Sequence, residues 1–197
     1  MAVKFQYNKT SHQTLDKRLK VLKKALPTLK NKESALRSEV KRAKDEALKL
    51  EAELQETLKN LDFLSRLWNE FDQSLISIKD VVLSAKKIAG VLTPVLEDII
   101  FEITPYNMFN SPLWFADGIA ILKNLAETAI KREVYYRKME LLDFARKKTT
   151  QKVNLYEKVQ IPGFEDAMRK IKRFLEDEEN LSKSSQKILK SKQESYG

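Results

Sequence analysis

A seven-residue repeat of apolar side chains constrains the fold of this chain more than any other feature. With Leu19 taken as an a position, the a and d series runs from Leu15 to Val82, and 18 of its 20 positions are apolar, alanine included. Helices with this period bury the stripe against another helix and supercoil left-handed. We therefore predict a long coiled-coil helix over residues 1–82. Its predicted seam comprises Leu15, Leu19, Leu22, Leu26, Leu29, Leu36, Val40, Leu50, Leu54, Leu61, Leu64, Trp68 and Phe71.

Pro27 lies inside this repeat, where a proline removes a helical hydrogen bond and costs about 3 kcal/mol. The leucines on both sides of Pro27 keep one heptad phase, and no capping residue stands just before it. We therefore predict a single helix that runs through Pro27 with a local kink. Its start is predicted at Thr10, because Gln13 follows at capping-box spacing.

Beyond about residue 57, further apolar side chains appear outside the a and d positions. They are Leu58, Phe63, Leu67, Ile76 and Val81. A wider apolar face must be covered, either by another part of this chain or by a partner protein. Both alternatives stay open, and these five residues are candidates for partner docking.

The composition changes over residues 88–122, which contain no Lys or Arg and three of the five prolines. Two segments rich in β-branched residues, VVLSAKKIA and VLEDIIFEI, predict a small β-hairpin with its turn around Gly90 to Pro94. We assign residues 83–112 to this insert. A second helix is expected to start with Ser111 as its cap and Pro112 at its first position.

A looser helical pattern returns over residues 113–190, interrupted at Pro162–Gly163 and followed by a flexible tail at 191–197. The simplest way to bury both stripes is to pack the two long helices antiparallel. The predicted fold is therefore mainly α, an antiparallel left-handed coiled coil with a β-hairpin insert. If residue 82 is level with about 122, Pro162–Gly163 faces Ala43 and Ala47.

The composition argues against a catalytic site, a metal site or a cofactor site. The chain has no cysteine and one histidine, His12, and none of its four glycines forms a phosphate-binding motif. We expect no catalytic residue, no metal site and no cofactor. No apolar run is long enough for a signal peptide or a membrane span, so we expect a cytoplasmic protein without membrane insertion.

The net charge of +9 is concentrated in residues 1–50, where 14 Lys and Arg face 5 Asp and Glu. Such a basic arm suits an acidic protein surface or nucleic acid. No aromatic residue follows Tyr7 until Phe63, which argues against stacking on single-stranded bases; phosphate binding without sequence preference stays open.

Three stretches resemble the D subunit of the V-type ATPases and the related A/V-type ATP synthases. The first is the Lys- and Leu-rich stretch NKTSHQTLDKRLKVLKKALPTLKNKESAL, and the second is IAGVLTPVLE. The third, KVNLYEKVQIPGFEDAMRKI, is the most specific. The matching positions in the second and third stretches include Gly90, Val91, Pro94, Glu97, Val153, Asn154, Glu157, Ile161 and Pro162. Together the three stretches span most of the chain, and we expect a bacterial member of this family.

The resemblance implies a non-catalytic rotor shaft whose termini enter the ring of catalytic A and B subunits. It also implies contacts with the F subunit and with the funnel-shaped subunit (C or d) on the membrane rotor, and a place peripheral to the membrane. The basic residues would then lie inside the ring, or simply be solvated. The contact candidates are Lys17, Arg18, Lys20, Lys23, Lys24, Lys30 and Lys32. A non-rotary coiled-coil adaptor or export chaperone is the alternative function; we expect no nucleic-acid partner.

Overall fold

The computed structural model describes residues 4–61, 68–107 and 111–196. The elements follow in the order α1 (Lys9–Leu61), a short 3₁₀ turn (Gln73–Leu75), β1 (Ile76–Ile88), β2 (Val91–Ile103), α2 (Phe115–Leu155), a π-helical turn (Tyr156–Gln160) and α3 (Ile161–Tyr196). The predicted mainly α class, with two long helical stretches and a small hairpin between them, is confirmed. Among the described residues, no helix combines the length and the hydropathy needed to cross a bilayer.

The chain divides into two compact units. The first contains Met1–Glu33 and Lys148–Gly197, and the second contains Ser34–Lys147. Helical segments from both halves of the sequence contribute to each unit. The contacts of each unit are therefore described separately.

Helix α1 runs without a break through Pro27, as the unbroken heptad phase predicts. Its cap differs from the prediction. The Ser11 backbone N–H donates to Asn8 Oδ1 at 2.7 Å, and the Gln6 N–H donates to Ser11 Oγ at 3.3 Å. Asn8 therefore caps the helix in place of Thr10, because its carboxamide oxygen accepts from a free N–H of the first turn.

The seam side chains of α1 are withdrawn from solvent. All fourteen a and d positions from Leu15 to Leu61 are buried or half-buried, and Leu36 is fully buried. Glu33 is the one charged residue among them, and it accepts a hydrogen bond from Thr150 Oγ1 at 3.2 Å. This bond compensates part of the cost of taking a carboxylate out of water.

In the first unit, α1 packs antiparallel to the returning helix. Leu15 packs with Ala167 and Ile171 in a buried cluster. Two ion pairs fix the register, Lys23 with Glu165 and Lys30 with Glu157, each with 2.6 Å between Nζ and Oε1.

These pairs place Pro162 on the returning helix between Glu157 and Glu165, level with the part of α1 around Lys23 and Lys30. The prediction that Pro162–Gly163 faces Ala43 and Ala47 is therefore wrong. It assumed a first helix that reaches Val82, whereas residues 76–88 form strand β1.

The predicted interruption at Pro162 takes the form of a wide helical turn. Over Tyr156–Gln160 the helix is π-helical, and the Ile161 N–H donates to the Tyr156 carbonyl five residues back. In an α-helix the ring of Pro162 would clash with the carbonyl of Lys158. The wider turn immediately before Pro162 provides room, and α3 then continues to Tyr196. The tail expected from residue 191 is thus helical through Tyr196.

The predicted hairpin is present in the second unit, and it begins earlier than expected. Strands β1 and β2 are antiparallel from Ile76↔Ile103 to Ile88↔Val91. Residues 76–82 are therefore a strand, which corrects the predicted helix over 1–82. Two register shifts leave Lys79 and Glu97 without a cross-strand partner, as in β-bulges.

An aromatic cluster stands at the base of the hairpin. It contains the rings of Trp68, Phe71, Trp114 and Phe115, and five ring pairs among them have centroids 5.2 to 5.6 Å apart. Phe71 and Phe115 are buried in a core together with Leu75 and Ile119. Trp68 and Phe71, predicted as coiled-coil seam residues, thus pack in this cluster.

The start of the second long helix also differs from the prediction. The Phe115 N–H donates to the Pro112 carbonyl at 3.1 Å, and the Gly118 N–H donates to the Trp114 carbonyl at 2.9 Å. The first bond closes a tight turn that precedes the helix, so α2 begins at Phe115 rather than at Pro112. Ser111 is consequently not its cap.

We expect Ala89→Asn to stabilise the hairpin. The two-residue loop has positive φ at both positions, 48° at Ala89 and 83° at Gly90. Asn tolerates this left-handed region, whereas alanine loses about 1 kcal/mol there. The urea midpoint should rise with Ala89→Asn and fall with Gly90→Ala, since the latter adds a Cβ at positive φ. A midpoint that moves with neither change would contradict the strained turn.

We expect Gly118→Ala to destabilise the aromatic cluster by about 1–2 kcal/mol. An added Cβ would lie 3.0 Å from Phe71 Cε2 and 3.0 Å from Trp114 Cζ3. Chemical denaturation followed by tryptophan fluorescence measures the loss. Phe71→Leu should lower the free energy of unfolding less in the Gly118→Ala protein than in the parent, because the smaller side chain makes room for the methyl group. Equal losses in both proteins would show that the methyl group is not crowded.

Candidate interaction surfaces

The part of the basic arm that holds the predicted ring contacts lies on the exposed faces of α1 in the first unit. All seven predicted contact residues are exposed: Lys17, Arg18, Lys20, Lys23, Lys24, Lys30 and Lys32. Three of them form ion pairs within the unit. Lys20 pairs with Asp16 on the same helix, and Lys23 and Lys30 form the two cross-helix pairs described above. Within the described part of the chain, the other four form no ion pair.

The cross-helix pairs follow from the heptad. Lys23 and Lys30 occupy successive e positions beside the seam, where coiled coils place charges that pair across helices. Exposed pairs of this kind contribute about 0–1 kcal/mol each. These two lysines therefore contribute to helix pairing, which the sequence pattern alone did not distinguish from partner contact.

A third cross-helix pair lies in the second unit. Arg132 Nη1 donates to Glu51 Oε2 at 2.6 Å, and Nη2 donates to Glu133 Oε2 at 3.3 Å. The hydrogen bond from Arg132 is the main cause that lowers the pKa of Glu51, and a further bond from Gln55 adds to it. The same contact raises the pKa of Arg132. Arg132 Nε is buried and has no hydrogen-bond partner among the described residues.

The predicted docking residues divide by environment. Leu58 is exposed on α1, and Val81 is half-buried on β1. Ile76 packs against the aromatic cluster, so part of the wide apolar face is covered by this chain itself. Phe63 and Leu67, together with the seam residue Leu64, lie outside the described residues.

The hairpin exposes several aliphatic side chains that the sequence analysis did not single out. Leu83 is 52% exposed and Leu92 is 64% exposed, and Ile78, Ile100 and Ile103 are also exposed. A two-stranded ribbon has little core of its own, and exposed aliphatic residues on it favour contact with another protein. These residues do not alternate along either strand, so the sequence pattern held no signal that separates them from the covered residues.

Two of the four positions of the second family motif, Gly90 and Glu97, lie at irregular backbone. Gly90 lies in the hairpin turn with φ 83°, Val91 closes the ladder opposite Ile88, and Pro94 stands opposite Ala85. Glu97 is the unpaired residue at a bulge of β2.

The third motif surrounds the π turn. Val153 is buried one turn before it, and Asn154 is exposed. Glu157 within the turn pairs with Lys30, Ile161 closes the turn through its N–H, and Pro162 follows. Among residues 4–61, 68–107 and 111–196, no group of three or more His, Asp or Glu is placed to hold a metal ion.

The elements and surfaces described above define a coiled-coil protein with an inserted β-hairpin. Residues 11–191 match the family model of the ATP synthase D subunit, and the chain belongs to this family. It is 31% identical to the V-type ATP synthase D subunit of Borreliella burgdorferi over 88% of this chain and 87% of that protein. It is also 26% identical to the proteins of the same name from Chlamydia muridarum and Chlamydia trachomatis, over 98% of this chain and 97% of each relative.

We expect Glu51→Gln to lower the melting temperature at neutral pH and to flatten its decline in acid. The pKa of Glu51 is lowered in the folded protein. The stability that this carboxylate contributes is therefore fully present above the ordinary carboxyl pKa, and it is lost as the pH falls through the pKa of the folded state. Thermal melts from pH 7 to pH 3 test this. Glu53→Gln, an exposed carboxylate on the same helix, is the control, and equal pH profiles for both variants would contradict a role for the Arg132 pair.

Proposed function

We propose that this chain is the central rotor shaft of a V-type ATPase or ATP synthase. In this role it transmits torque between the catalytic ring of A and B subunits and the membrane rotor. The relatives are named as the D subunit of V-type ATP synthases. The observation that carries the proposal is the antiparallel pairing of long helices through a buried seam flanked by ion pairs, since a shaft needs a stiff helical body.

The end of α3 supports insertion into a surrounding protein. From Glu176 to Glu194 every side chain is exposed. Most helical stability in proteins comes from packing of an apolar face, and this stretch packs no such face. It nevertheless carries Leu181, Ile188 and Leu189 at 69%, 57% and 61% exposure. We infer that the catalytic ring encloses this end and covers these residues.

The second unit supplies the surface proposed for other partners. Leu58 and the exposed aliphatic residues of the hairpin are the candidates for contact with the F subunit and with the funnel-shaped subunit (C or d). In this proposal the chain carries no catalytic residue and no cofactor, and ATP is hydrolysed in the ring. The protein is then peripheral to the membrane on its cytoplasmic side.

A photo-cross-link between shaft and ring tests rotation. We would place p-benzoylphenylalanine at Lys24, which is exposed and unpaired among the described residues, and reconstitute the variant with the A, B and F subunits. A rotating shaft should cross-link to A or B on illumination, and ATP hydrolysis should fall in proportion to the cross-link yield.

The same label at Leu92, on the hairpin, is the matched control. Its cross-links should join parts that turn together, so ATP hydrolysis should persist after illumination. Undiminished hydrolysis after cross-linking from residue 24 to A or B would refute rotation. A chain that does not assemble with A, B and F would instead support the adaptor or chaperone alternative.

A further inference from the structure

An apolar groove opens on the surface of the first unit beside the π turn. It has a volume of about 320 Å³ and is lined by Lys17, Arg18, Val21, Leu22, Gln160 and Phe164. Its walls are almost entirely carbon, and its polar groups stand at the rim. The groove therefore has room for a large apolar side chain from outside the unit.

Apart from the seam residue Leu22, the groove is built by residues outside the a and d positions of α1. Val21 lies outside the a and d positions and is 67% exposed, although valine is a weak helix former and gains little on a solvated face. Phe164 packs on one side against the buried cluster of Leu15, Ala167 and Ile171, and it also lines the groove. Gln160 ends the π turn, so this turn positions one wall.

The rim of the groove is positively charged. Lys17 and Arg18 stand beside Val21 and form no ion pair with the described residues, whereas the neighbouring Asp16 is engaged by Lys20 at 2.7 Å. Uncompensated cations around an apolar groove are complementary to carboxylates next to an apolar side chain. Arg18 can in addition hold a carboxylate through two parallel hydrogen bonds.

We propose that this groove docks an acidic segment of the catalytic ring that carries a large apolar side chain. The apolar side chain enters between Val21 and Phe164, and flanking carboxylates reach Lys17 and Arg18. The inference rests on the proposed shaft function, and it assigns one contact of that shaft. It also divides the basic arm into groove residues and the residues that pair helices, Lys23 and Lys30.

Binding to a purified ring of A and B subunits tests the groove. Wild type and variants, each assembled with the F subunit and labelled with a fluorophore, are titrated with the ring at two salt concentrations. Val21→Asp and the double change Lys17→Glu with Arg18→Glu should each raise Kd about tenfold or more, because they remove apolar burial or reverse the rim charge. The double change should also reduce the salt dependence of Kd.

Lys49→Glu is the control, since it reverses an exposed charge on α1 that is neither in the groove nor among the ring-contact candidates and should change Kd less than about twofold. Thermal melts verify that each variant is folded, and Val21→Ser replaces Val21→Asp if the aspartate lowers the melting temperature. A groove variant that binds the ring like wild type overturns the groove proposal alone. A wild-type complex that does not bind the ring overturns the shaft function instead.

Discussion

Burial of the a and d side chains of α1 is the constraint on which the other contacts depend. Once these side chains face a returning helix, the e positions beside them lie next to it as well. Lys23, Lys30 and Glu51 are all e positions, and each forms an ion pair across the helices within its own unit. The charges therefore add specificity to a pairing that apolar burial has already established, because exposed ion pairs contribute little by themselves.

The same constraint explains why two irregular sites are tolerated. Pro27 lies on the exposed face of α1, so it removes one backbone hydrogen bond while Leu22, Leu26 and Leu29 remain in phase. At Pro162 the helix instead widens into a π turn immediately before the ring. In both cases the backbone carries the irregularity and the seam remains buried, which is favourable because each large buried side chain is worth about 1.5–3 kcal/mol.

The heptad predicted the helical pairing and extended it too far, for a physical reason. Phe71, Leu75 and Ile78 continue the seven-residue spacing, although the first two pack in the aromatic core and the third lies in a strand. Neither Pro nor Gly occurs between Leu61 and Ile76 to separate helix from strand in the sequence. Apolar spacing reports that a side chain is buried, but it does not report what buries it. The hairpin was predictable because β-branched residues and Gly90 indicate strands and a turn directly.

The surfaces were less predictable than the fold, because exposed charges acquire their roles from residues far away in sequence. Lys17, Arg18, Lys23 and Lys30 belong to one basic run, and only the carboxylates at Glu157 and Glu165 separate helix pairing from free charge. The distinction matters for a shaft that turns inside a ring, as we propose. Such a shaft must exchange its ring contacts at every step while its own helices stay paired. Charges engaged within the unit can maintain the pairing, whereas unpaired cations at a shallow groove can bind and release a partner at low cost.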